Sequence, residues 1–113
     1  VDNAAIKMNS KVMGVLSELR SRFNEIYGDR LSRLVLFGSQ ARGDAEDGSD
    51  IDILLVLKGE VKAGEEISRI GEFTSALSLK NNVVISCVFM PEERFLHRNG
   101  PLLRNVRREG ITL

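Results

Sequence analysis

Two aspartates, Asp50 and Asp52, stand inside an apolar run, "SDIDILLVL". In a strand, residues two apart point to one face, with Cα atoms roughly 6.6 Å apart. Two carboxylates so placed can hold a divalent cation. Magnesium takes oxygen ligands and keeps waters and substrate phosphates in the rest of its shell. Paired metals of phosphoryl-transfer sites sit about 3.5–4 Å apart, a span that carboxylates can bridge. A bound metal would also compensate carboxylates buried in a strand.

The complementary group comes earlier, in "LFGSQARGD", where Gly38 and Ser39 follow an apolar run directly. Glycine lets backbone come close to a phosphate. Ser39 adds a hydroxyl and a backbone N–H at a helix start, where anions are favoured. Arg42 is one turn further on and can donate to a phosphate oxygen. One end of the stretch then grips a triphosphate, and the other holds the metal that bridges it. Asp-x-Asp and Gly-Ser are each common alone; their joint spacing within one strand–loop–strand carries the signal.

Elements that can position these residues are legible along the chain. Asn9 or Ser10 caps a helix with Val12, Leu16, Leu19, Phe23 and Ile26 on one face, ended by Gly28. Phe23 and Tyr27 read as core at that spacing. Leu34–Phe37 is a short strand, Ser39–Arg42 a short helix, and 45–49 a polar loop. Asp44, Glu46 and Asp47 solvate that loop, with Asp44 able to cap or orient it. Ile51–Leu57 reads as a central strand covered on both faces. After a linker, 59–64, comes a helix bearing Ile67, Ile70, Phe73, Thr74 and Leu77. Glu65 and Glu66 at its start and Lys80 at its end suit the helix dipole, and Asn81 and Asn82 end it. Val83–Met90 is a third strand. Pro91 starts a helix that Gly100-Pro101 breaks, and Leu102, Leu103 and Val106 form a further short helix.

Composition narrows the function. The 113 residues suit one domain, and 16 basic against 16 acidic residues give no net charge. Nucleic-acid binding by bulk charge is therefore not expected. No segment is long and apolar enough to span a membrane. The single Cys87 has no disulfide partner within the chain, which reads as a reduced, cytoplasmic setting. "VDNAAIKM" reads as a remnant of expression, with Met8 as the natural start, so the domain is taken as 8–113.

Other candidates are assigned to structure. His97 reads as a surface histidine, Cys87 as inert core, and Met8, Met13 and Met90 as core or helix face. Arg94, Arg98, Arg104, Arg107 and Arg108 make the C-terminal part locally basic. They read as a solvated face, with a partner- or nucleotide-contacting surface as the functional alternative.

"LFGSQARGD" followed by "SDIDILLVL" resembles the signature of the polymerase-beta-like nucleotidyltransferase superfamily. Within it the chain is similar to the minimal nucleotidyltransferases of bacteria and archaea, over nearly all of Leu34–Leu113. The end, "PLLRNVRREGITL", resembles their tail. The resemblance implies an α+β fold, a small mixed sheet with helices packed on it. It implies Asp50 and Asp52 as catalytic, magnesium-holding residues, with Gly38, Ser39 and Arg42 on the nucleotide phosphates. It further implies transfer of AMP from ATP onto a HEPN-domain partner, the toxin that such antitoxins neutralise. Homo-oligomerisation, or assembly with the partner, is a further expectation.

The chain departs from that pattern in one place. The superfamily usually adds a third carboxylate on a later strand, and "NNVVISCVFM" contains no acid. By the resemblance the acid falls at about Val84, with Ser86 the nearest polar group on that face. The absence bears on catalysis more than on binding. The alternative to an enzyme is therefore a degenerate nucleotide-binding protein that neutralises a HEPN partner by binding alone. An acceptor of low molecular weight, such as an aminoglycoside, is a third reading; a chain this short includes no obvious second substrate domain.

Overall fold

The structure is a computed structural model that describes residues 9–46 and 48–113. The stretch read as a remnant of expression, Met8 and Asp47 lie outside the described residues. Helix α1, Ser10–Tyr27, opens where the Asn9 side chain accepts a hydrogen bond from the Val12 N–H at 2.8 Å. It buries Val12, Val15, Leu16, Leu19, Phe23 and Tyr27, at spacings of three and four. A single 3₁₀ turn, Gly28–Arg30, leads into β1, Leu31–Phe37. The four-residue helix α2, Ser39–Arg42, a loop, and strand β2, Ile51–Leu57, follow. Helix α3 spans Ala63–Asn81 and ends at Asn82, whose left-handed φ of +50° asparagine tolerates. Strand β3, Ile85–Pro91, then helices α4, Glu92–His97, and α5, Pro101–Glu109, precede the two-residue strand β4, Ile111–Thr112.

The sheet order is β3-β2-β1-β4. β1 pairs antiparallel with both β2 and β4, while β2 and β3 are parallel and joined through α3. This is the mixed α+β sheet expected from the sequence. β2 is central, and its Ile51, Ile53, Leu54, Leu55, Val56 and Leu57 are all fully buried. Alternation divides them between two apolar layers. Ile51, Ile53, Leu55 and Leu57 pack with α1 and α3 residues such as Leu19, Phe23 and Ile70. Leu54 and Val56 pack with Val35, Met90, Leu103 and Val106 beneath α5.

Several expectations need correction. β1 starts three residues before Leu34, and β3 starts at Ile85, leaving Val84 57% exposed. Ile67 and Met13 are exposed rather than core. The phase of α3 is set by Glu66, Ile70 and Leu77, all buried, and Ile67 lies one position off that face. Glu66 can occupy it because Tyr27 Oη donates at 2.9 Å, Arg30 Nη1 at 2.9 Å and Arg69 Nε at 3.1 Å. β4 was not anticipated; two residues carry no periodic signal.

His97 is exposed, as expected, and so are the five C-terminal arginines. Arg107 is nonetheless structural. It donates to Asn99 Oδ1 at 2.7 Å and to the carbonyls of Phe95 and Arg98, which ties α4 to α5. Burial pushes the half-buried Cys87 thiol up to about 12, so it stays protonated and inert.

Candidate functional site

The register of β1 on β2 builds the site. Phe37 pairs with Asp52, so Gly38, the next residue, turns off the end of β1 beside the Asp52 side chain. A Cβ at Gly38 would lie 2.3 Å from Asp52 Oδ2, and the φ of Gly38 is +77°. Both facts demand glycine: the backbone runs against a carboxylate in a conformation that L side chains rarely adopt. The backbone of "GS" and the carboxylate of "DID" are thus in direct apposition.

Ser39 begins α2, a single turn. The Gly38 carbonyl accepts from Ala41 and Arg42, and the Ser39 carbonyl from Gly43 and Asp44. Among the described residues, the N–H groups of Ser39 and Gln40 donate to no protein acceptor. One turn builds little dipole, so what α2 offers an anion is these free N–H groups. Gln40 Nε2 donates to the Ser49 carbonyl at 3.2 Å and holds α2 to the loop before β2.

Asp52 is half-buried and Asp50, just before β2, is exposed. The expectation that both carboxylates are buried in a strand therefore holds only in part, and their burial alone does not call for a metal. Asp52 lies on the face of Leu54 and Val56 by alternation. Burial first, then the Asp50 carboxylate, raise its pKa above the usual carboxylate range, and Arg42 partly opposes them. Among the described residues, no side chain donates to either carboxylate. A pair of acceptor-only groups, one of them against a bare glycine, fits a hard divalent cation whose other ligands are water and phosphate oxygen. Asp50 and Asp52 would hold it.

Strand β3 supplies no third acid. Ser86 is in register with Asp52, and the exposed Val84 precedes it, its carbonyl accepting from Ile51 N–H at 2.9 Å. Among the described residues, no group of three or more His, Cys, Asp or Glu side chains is placed to hold a metal.

Arg42, the last residue of α2, is already engaged. Its Nε is 3.2 Å from Asp44 Oδ2 and its Nη1 is 3.2 Å from Glu109 Oε1. The hydrogen bond to Asp44, and the charges of both acids, raise its pKa further. Asp44 thus pairs with Arg42 rather than merely solvating the loop. Glu109 was missed, and no local pattern could have revealed a residue 67 positions away. A recess of about 1020 Å³, lined by 59–61, 91–94 and 96–98, lies beyond the other end of β2 and contains none of the predicted site residues.

The profile of the nucleotidyltransferase domain family matches residues 16–110. The chain is 36% identical over 99 residues to the putative protein adenylyltransferase MJ0604 of Methanocaldococcus jannaschii, covering 87% of this chain and 93% of that one. It is 36% identical over 76 residues to the same organism's putative protein adenylyltransferase MJ0141, covering 67% and 76% of the two chains. Solved structures share the fold. A putative nucleotidyltransferase from Sulfolobus solfataricus superposes with a TM-score of 0.56 at 23% identity, over 97% of this chain and 82% of that one. A toxin-antitoxin solved with AMP-PNP gives 0.56 at 20% identity, over 90% and 68%. A mutant of the toxin-antitoxin MntA-HpeT gives 0.58 at 18%, over 84% and 69%.

Proposed function

The chain belongs to the nucleotidyltransferase domain family, and from that premise we propose that it transfers AMP from ATP to a protein partner, magnesium-dependently, as the antitoxin of a HEPN toxin. The observation that carries this reading is the apposition of the Gly38 backbone and the Asp52 carboxylate, with Asp50 and Arg42 beside it. The names of the curated relatives support adenylyl transfer to protein, and the toxin-antitoxin neighbours support such a partner.

The residues divide the work. The Ser39 and Gln40 N–H groups and the Ser39 hydroxyl donate to phosphate oxygens. Arg42 adds charge-assisted donors. Asp50 and Asp52 hold magnesium, which when bound neutralises phosphate charge and aligns the leaving group. The acceptor oxygen forms a bond to the α-phosphorus, the bond from that phosphorus to the bridging oxygen breaks, and pyrophosphate departs with the electron pair. The acceptor's proton passes to a base; β3 carries no acid for that task, and a group of the partner would serve.

The lack of an acid in β3, where Ser86 is in register with Asp52, favours a second reading: neutralisation by nucleotide-dependent binding alone. Labelled transfer decides between them. Incubate α-labelled ATP and magnesium with this protein and the product of the neighbouring gene. Label on the partner that vanishes with Asp52→Asn is the expected result. No label, with the proteins still co-purifying and Mg-ATP still bound, would leave the second reading standing.

A further inference from the structure

Glu109 is the last residue of α5, and its side chain is only 14% exposed although Arg42 beside it is 45% exposed. The chain after it is pinned. The Gly110 N–H donates to the Val106 carbonyl at 2.7 Å. A Cβ on Gly110 would meet that carbonyl at 2.4 Å and Val35 Cγ1 at 2.7 Å, so glycine alone lets the chain leave α5 against β1. Thr112 and Ile111 then pair with Val35 and Leu36, and the Leu113 N–H donates to the Leu34 carbonyl at 2.8 Å. The tail is therefore clamped to the strand that leads into Gly38.

We propose that Glu109 is a positioning residue of the nucleotide site: from the C-terminal tail, together with Asp44, it fixes the Arg42 guanidinium for the triphosphate. The inference rests on the nucleotide-binding reading above and adds to it a role for the tail. A guanidinium is a planar fork with five N–H donors. Asp44 takes the Nε donor and Glu109 one on Nη1, which leaves three for phosphate oxygens. An unrestrained arginine loses rotamer freedom when it grips a ligand, and one already held loses less. Glu109 also has an opposing effect. Its negative charge repels a nucleotide, so charge alone would make its removal tighten binding. The two effects differ in sign, and a variant series separates them.

Glu109→Gln removes the charge and keeps the Oε1 acceptor. Glu109→Ala removes both. Glu109→Asp keeps the charge and withdraws it by one methylene. Mg-ATP binding is measured by calorimetry on the full chain, with thermal melts alongside. Glu109→Ala and Glu109→Asp are expected to weaken binding about tenfold, with Glu109→Gln recovering most of the affinity. Adding Glu109→Ala to Arg42→Ala should weaken binding no further than Arg42→Ala alone, because the effect runs through Arg42. A purely structural role would lower the melting temperature and weaken binding additively. Wild-type or tighter binding by Glu109→Ala or Glu109→Asp, or additivity with Arg42→Ala, overturns the proposal while the nucleotide site stands. No Mg-ATP binding by the wild type overturns both.

Discussion

The two ends of the sheet treat a carboxylate in opposite ways. At the end where Leu31 pairs with Leu57, Glu66 is 2% exposed and receives donors from Tyr27, Arg30 and Arg69. Burial pushes its pKa up, but the Arg30 and Tyr27 hydrogen bonds and the two guanidinium charges win and bring it below the usual range. The same contact and burial drive the Tyr27 hydroxyl well above its ordinary value. At the other end Asp52 is raised, because burial and the Asp50 carboxylate outweigh the Arg42 charge. A carboxylate whose donors are all internal locks α3 to α1 and to the 3₁₀ turn before β1. One that no side chain among the described residues donates to, next to a bare glycine, is available to a ligand. Satisfaction, more than burial, separates the structural acid from the site acid.

The contrast can be broken most severely at Glu66. Glu66→Ala strands the Tyr27 hydroxyl and leaves Arg30 without its carboxylate. It should cost about 3 kcal/mol in denaturant melts. Asp52→Asn should leave stability unchanged or raise it while abolishing transfer. Equal losses from both would show that the two acids are not different in kind.

Gly38→Ala is expected to cost about 2 kcal/mol, from a strained positive φ and the collision with Asp52. It should also weaken Mg-ATP binding, read by calorimetry. Wild-type affinity in a folded Gly38→Ala protein would mean that the close approach has no part in nucleotide binding.

The smallest expected effect is in pH dependence, and its sign differs between the ends. The lowered pKa of Glu66 contributes stability above the ordinary carboxylate value, about 4, and that stability is lost as pH falls through the lowered value. The raised pKa of Asp52 works the other way, with stability lost as pH rises from the ordinary value through the raised one. Subtracting stability–pH curves of Glu66→Gln and Asp52→Asn from wild type should therefore give slopes of opposite sign below pH 7. Slopes of the same sign would refute the pairing described here.

Much of the site was readable before any coordinates. Gly38 and Ser39 directly follow β1, and Asp50 and Asp52 stand just before and within β2, so the apposition of Gly38 and Asp52 follows from the antiparallel pairing of two neighbouring strands. Asn9 as a cap and the α1 face from Val12 to Phe23 are equally local. Asp50 was misjudged as buried because it lies one residue outside β2, and strand ends are not marked by periodicity. Ile67 was misplaced because an apolar residue was preferred to Glu66, and only the arrival of Tyr27 and Arg30 makes a buried glutamate tolerable.

The central apolar strand, the amphipathic helices and the Gly-Ser and Asp-x-Asp signature are all properties of local pattern. Each rests on a period of two or about 3.6 residues, or on a turn residue within one element. Which carboxylates are satisfied, the closing of β4 on β1 and the reach of Glu109 to Arg42 are matters of long-range packing. Those contacts join residues that are distant along the chain. No local pattern carries them, because they arise when packed layers bring remote elements together.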